Sequence, residues 1–326
     1  MIFILNHSTD PAYNLAAEEY VLKNFTDDVF MLWRNANAII VGKHQNTMAE
    51  INMPFVQEKG IRVIRRLSGG GAVFHDLGNL NFTFIMNGQG EKLIDFRKYT
   101  QPILEVMQKL DIPAQFEGRN DLTIDGRKFS GNAEHVHKSR VLHHGTLLFS
   151  SEIADLTGAL NAKNDRYSDK GVKSVRSRVT NISEHLKEPM TVLEFAGMIM
   201  DHVRETYADA EMYDFSPRDV EAISKLKVDK YDTWDWNFGY SPQYDFHQVV
   251  KTSGGTIELA LQVEKGVIRD ARFSGDFFNK RDVHELERMF PGCMHEPESV
   301  GAMLDTVQIG EYFLGATREE VISLFF

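Results

Sequence analysis

The chain has 326 residues, 42% hydrophobic and 25% charged, which suits a globular protein with a large core and two domains. Its 36 basic and 47 acidic residues give a formal net charge of −11, which argues against a general nucleic-acid surface and leaves room only for a local basic site. One cysteine, Cys293, excludes an intrachain disulfide and a multi-cysteine zinc cluster.

Residues 1–6 read as a short apolar strand, without the basic start and long apolar run of a signal peptide. No apolar run is long enough to cross a bilayer. The expectation is a soluble cytoplasmic protein with no membrane partner. Asp10-Pro11 pairs an N-cap with a proline at the first helical position. It predicts a helix to about Lys23 that buries Leu15, Ala16, Tyr20 and Val21. Strand patterns follow at 29–34, 38–42, 61–66, 72–75 and 81–86, then helical spacing at 96–110. Strands return at 115–118, 122–125, 128–137 and 141–149, two of them joined by the hairpin signal Asp125-Gly126. Residues 161–178 are polar and basic without periodicity, which reads as a loop. Helices are expected at 191–207 and 216–231. Strands at 246–251, 256–264 and 267–273 form a meander, and short helices finish the chain. Strands come in runs rather than alternating with helices. The fold class is therefore α+β, a mixed and mostly antiparallel sheet flanked by helices, with a small α+β C-terminal domain. The domains are expected at 1–240 and 241–326.

Three patches carry chemistry. In Arg65-Arg66-Leu67-Ser68-Gly69-Gly70-Gly71-Ala72-Val73-Phe74-His75-Asp76, three glycines lie between two strand-like runs. No side chain blocks the backbone there, and exposed N–H groups beside fixed charge suit a phosphate or carboxylate. In the second patch, Lys128 follows the Asp-Gly turn and precedes Ser130, Gly131 and Ala133. Small residues leave room for a ligand, and alternation puts Lys128 and Ser130 on one face. The third is His143-His144-Gly145 within an apolar strand. Adjacent strand residues point to opposite faces, so the two histidines do not chelate one metal together.

These segments, with Gly118-Arg119-Asn120-Asp121-Leu122, Ser174-Val175-Arg176-Ser177-Arg178-Val179-Thr180-Asn181 and the tryptophan-rich Trp234-Asp235-Trp236, resemble the lipoate–protein ligase family in order and spacing over nearly the whole chain. The resemblance implies a catalytic domain like those of biotin protein ligases and class II synthetases. It implies that lipoate and Mg·ATP give lipoyl-adenylate, and that a lysine of an acceptor then takes the lipoyl group. Acceptors in the family are lipoyl domains of 2-oxoacid dehydrogenase complexes and the glycine-cleavage H protein. Lys128 is the implied catalytic residue, contacting the lipoyl carbonyl and the α-phosphate. Arg66 would bind phosphate. Gly71, Ala72, Val73 and Phe74 would line the nucleotide, and Gly69 and Gly70 would leave space for the lipoyl tail. Ser68, Asn79, Asn120, Ser130, Gly131, Ala133 and Gly145 belong to the same implied set, and His75 and His144 would line the pocket. Asp121 would help hold Mg²⁺. Arg176 and Arg178 would close over the adenylate and exclude water. A monomer is expected.

Acyl transfer through a cysteine thioester is a rival reading, but the catalytic half holds no thiol. Biotin ligation fits less well, because the turn is Ser-Gly-Gly-Gly rather than arginine-rich. A non-catalytic binder has no evident use for Lys128. The C-terminal unit carries no reactive constellation, and its expected role is to help position the acceptor.

Overall fold

A computed structural model of the chain describes residues 1–88, 95–153, 158–160, 166–170, 174, 178–207 and 209–326. They divide into two compact units. The first comprises residues 1–43, 61–160 and 174–233, and the second residues 44–60, 161–173 and 234–326. The C-terminal stretch of the second unit begins at Trp234, and two earlier stretches join it. Chain order alone carries no sign of such a return.

The first unit is built on strands β1 (Ile2–Leu5), β2 (Val29–Trp33), β3 (Ala38–Val41), β4 (Arg62–Arg65), β5 (Val73–His75), β6 (Asn79–Asn87), β7 (Ala114–Glu117), β8 (Asp121–Ile124), β9 (Arg127–His137) and β10 (Arg140–Leu148). The large sheet runs Glu211–Met212, β1, β2, β6, β10, β9, β8, β7. The two pairs that β1 makes are parallel; the remaining pairs are antiparallel. β4, β3 and β5 form a separate small sheet. This is the mixed α+β architecture that runs of strands lead one to expect.

One face of the large sheet is apolar. Phe30, Phe82, Phe84, Leu122, Phe129 and Leu147 pack there with Ile103 and Val106 of the helix Phe96–Lys109 and with Phe195 and Ile199 of the helix Val192–Glu205. Each such side chain contributes about 1.5–3 kcal/mol by leaving water. Thr191 and Glu194 cap the latter helix reciprocally.

The opposite face meets helix α1 (Pro11–Asn24), which Asp10 caps through Ala12 and Tyr13. Leu15, Ala16 and Val21 are buried as expected, and so are Asn14, Glu18 and Glu19. Tyr20 is only half-buried, and its hydroxyl donates to Asp219. Glu19 accepts from Lys23, Lys230 and Tyr231 on the outer side. α1 is covered on more than one side, so its sequence shows no single apolar stripe.

The second unit carries the expected meander, Tyr244–Thr252, Gly255–Glu264 and Val267–Gly275. Tyr167–Asp169 adds an edge strand to it, inside the stretch that reads as a loop. Three residues completed by another strand's hydrogen bonds leave no periodicity to read. The short helices Thr47–Glu50 and Met53–Glu58 escape sequence reading because neither is long enough to show a helical period. Among the described residues no helix is long and apolar enough to cross a membrane.

Each unit buries a neutral histidine. Burial, with the charge of Arg66, lowers the pKa of His75 to about 3. Burial lowers that of His295 to about 4, while its Nε2 donates to the Phe325 carbonyl. An unfolded histidine titrates near 6.5. Between about 4 and 6.5 the unfolded chain binds more protons, so this stability is present above 6.5 and lost as pH falls. The urea midpoint should drop between pH 7 and pH 5, and His295→Gln should reduce that slope by up to ~1.4 kcal/mol per pH unit. An unchanged slope in the variant would contradict the assignment.

Candidate functional site

The β8–β9 hairpin turns at Asp125 and Gly126, whose φ angles of 48° and 72° suit a two-residue type I′ loop. Beyond it the register slips by one. Thr123 faces Lys128 and Leu122 faces Ser130, leaving Phe129 as the extra residue. Strict alternation would put Lys128 with Ser130. The bulge instead puts Lys128 on the face of Asp121 and Gly131, and Ser130 on the opposite, core-facing side.

Lys128 is tightly placed. Its Nζ lies 2.9 Å from Asp121 Oδ1. A Cβ on Gly131 would come within 2.9 Å of both Cε and Nζ, so a larger residue there would displace the end of the lysine. Its backbone N–H donates to Arg178 O at 2.8 Å, and its carbonyl accepts from Thr180 N at 3.0 Å. Lys128 therefore sits between the hairpin and the 178–180 segment.

The same face reaches the glycine-rich turn. Gly131 pairs through its N–H with Thr146 Oγ1 at 3.2 Å. His144, two residues away on β10, shares that face, and its Nε2 lies 2.6 Å from Ser68 Oγ. The turn is packed closely: a Cβ on Gly42 would fall 2.0 Å from the Gly70 carbonyl oxygen, and Gly70 has φ of +90°. Ala72 N–H donates to Ser174 Oγ at 2.8 Å. The N–H groups of Gly69, Gly70 and Gly71 meet no protein acceptor among the described residues. They remain available to an anion.

The resemblance implies that Arg66 binds phosphate. The structure turns it inward. Its guanidinium donates to the carbonyls of Ile40, Gly69 and Gly71 and to Ser68 Oγ. Burial lowers its pKa to about 10, against the opposing pull of Glu18. Arg65 is likewise buried and donates to the carbonyls of Gly42 and Lys43. These arginines brace the turn from within.

The remaining expected residues divide. Ala133 pairs with His144 across β9 and β10, on the Lys128 face. Asn79 lies on the same face of β6 as Asn81, to which its amide donates. Ala72, Val73, Phe74 and His75 continue from the turn into β5, where His75 Nδ1 accepts from Asn35. Gly145 belongs to the core face with Ser130, and a side chain there would strike Asn132 and Phe82. Asn120 spends its amide on the Asn132 carbonyl, bracing β9. Arg178 is exposed, and Arg176 lies outside the described residues. His143 and His144 do face opposite ways, each with its own glutamate: Glu134 at 2.8 Å and Glu18 at 3.0 Å. Among the described residues no three His, Cys, Asp or Glu side chains gather to hold a metal ion.

Sequence reading missed Glu18, Gly42 and Ser174. Gly42-Lys43 at a strand end is a weak signal of close backbone approach. A glutamate in a helix reads as a surface group, so nothing marked Glu18.

Residues 10–204 match the lipoyl protein ligase A/B catalytic domain, and residues 241–325 match the bacterial lipoate protein ligase C-terminus. The chain is 41% identical to the lipoate-protein ligase LplJ of Bacillus subtilis, with 100% of both chains covered. It is 42% identical to lipoate–protein ligase 1 of Staphylococcus aureus, over 99% of each. Among solved structures, LipL1 of P. falciparum in complex with lipoate matches with a TM-score of 0.61 at 26% identity, covering 94% of each chain. The chain belongs to the lipoate–protein ligase family and is a ligase.

Proposed function

We propose that this ligase works through ATP: it joins lipoate to AMP and then passes the lipoyl group to a lysine of an acceptor lipoyl domain. The acceptors are lipoyl domains of 2-oxoacid dehydrogenase complexes and the glycine-cleavage H protein. The observation that carries this reading is the placement of Lys128 Nζ and the glycine-rich turn on one face of the sheet, linked through Gly131, Thr146, His144 and Ser68.

Joining a carboxylate to a phosphate brings two anions together, and the site must supply fixed opposite charge. In the first step a lipoate oxygen attacks the α-phosphorus. The bond to the β-phosphate breaks and pyrophosphate leaves. In the second, an acceptor amine attacks the lipoyl carbonyl, AMP leaves with the bridging oxygen, and the amine gives up its proton. Charge develops near the α-phosphate in both steps. An ammonium on a flexible stem follows it through both. The free N–H groups of the turn offer further donors for phosphate oxygens. Mg²⁺ arrives with ATP as part of the substrate. A nucleotide-bound magnesium needs only one or two protein carboxylates, which the single carboxylate of Asp121 suits.

A thioester route has little to work with. Cys293 lies in the second unit, and burial together with Glu296 raises its pKa, disfavouring the thiolate.

Lys128→Ala should lower the rates of lipoate-dependent pyrophosphate release and of acceptor lipoylation by about 100-fold or more. Turnover within a few-fold of wild type would remove Lys128 from the mechanism. Cys293→Ser should lipoylate the acceptor at the wild-type rate, and abolished transfer in that variant would revive the thioester route.

A further inference from the structure

A line of hydrogen bonds runs under the turn. Trp33 Nε1–H donates to Thr83 Oγ1 at 2.9 Å, and Thr83 donates to Glu18 Oε1 at 2.6 Å. Glu18 lies 3.0 Å from His144 Nδ1, and His144 Nε2 lies 2.6 Å from Ser68 Oγ. Arg66 Nε–H donates to Ser68 Oγ at 3.0 Å. Glu18, Ser68, His144 and Arg66 are all buried.

With Glu18 ionised and one proton on the His144 ring, a single pattern of donors satisfies every contact. An indole N–H only donates, and so does a guanidinium N–H. Trp33 therefore makes Thr83 spend its own proton on Glu18. The Glu18 carboxylate then requires a proton on His144 Nδ1. In a singly protonated ring Nε2 then accepts the hydrogen bond from the Ser68 hydroxyl, while Ser68 accepts from Arg66.

We infer that Glu18 is a positioning residue for the adenylating site, fixing the His144 tautomer that holds Ser68 and, through it, the glycine-rich turn. The same order of groups activates a serine nucleophile in acyl-transfer enzymes. Here Ser68 is 1% exposed and its oxygen receives the Arg66 guanidinium, so the group is a strut. A misplaced turn would misplace the N–H groups that receive phosphate, and an ångström there costs about 100-fold in rate.

The inference rests on the adenylation reading, and the test separates the two. Full-length wild type, Glu18→Ala, Glu18→Gln, Ser68→Ala and the Glu18→Ala/Ser68→Ala double variant are assayed for pyrophosphate release with lipoate and Mg·ATP. In parallel, ¹⁵N-histidine NMR reads which ring nitrogen of His144 carries the proton. Glu18→Ala should lose about 100-fold in rate and lose the Nδ1-protonated signature. The double variant should be no slower than Ser68→Ala alone. Glu18→Gln, which keeps an acceptor oxygen, should lose less than Glu18→Ala. Multiplying losses in the double variant, or an unchanged His144 tautomer in Glu18→Ala, would overturn the inference. If Glu18→Ala fails to fold, the same cycle with Glu18→Gln decides by the same two criteria. A wild type that releases no pyrophosphate sinks the adenylation reading alone, because the tautomer measurement still decides the role of Glu18.

Discussion

A single ammonium lies against a bare glycine on the polar face of the large sheet, and the site is organised around holding it there. Asp121 offers a counter-charge at 2.9 Å. Backbone hydrogen bonds to residues 178 and 180 fix the strand from the other side. The absence of a side chain on Gly131 gives the stem its groove. The Asp121 contact is half-exposed, so it orients the ammonium without tying it down. On the proposed mechanism, a cation that shifts between phosphate and carbonyl is better held this way than by a buried pair.

Around that mobile charge the turn is stiff. Arg66 gathers the carbonyls of Gly69 and Gly71 inward, which leaves the turn's N–H groups for a ligand. The close approach of Gly42 to Gly70 admits no side chain at Gly42. The two faces of β10 use the same device in different ways. His144 is wired to the turn through Ser68, whereas His143 sits with Glu134 among Phe82, Phe96 and Tyr99 in the core. Burial lowers the pKa of His143 while Glu134 pulls the other way. One histidine serves the site and its chain neighbour serves the core.

Much of this was legible in the residues. The Asp125-Gly126 hairpin, the C-terminal meander, the α+β class and the opposed histidines follow from local geometry that short patterns encode. What failed were features set by tertiary partners. One extra residue at Phe129 reverses the alternation around Lys128, and a bulge has no sequence mark here. The inward aim of Arg66 depends on carbonyls brought by β3 and the turn. Glu18 meets His144 only because α1 lies on the sheet's polar face, and Tyr167–Asp169 became a strand only through the edge it joins.

The most direct measurement is a crystal structure of the full chain with a non-hydrolysable lipoyl-adenylate analogue. The account predicts Lys128 Nζ within about 3.2 Å of both the carbonyl oxygen and an α-phosphate-equivalent oxygen, with the glycine-rich turn lining the same cavity. An analogue bound elsewhere, or bound there with Nζ still paired to Asp121 and touching neither oxygen, would contradict it.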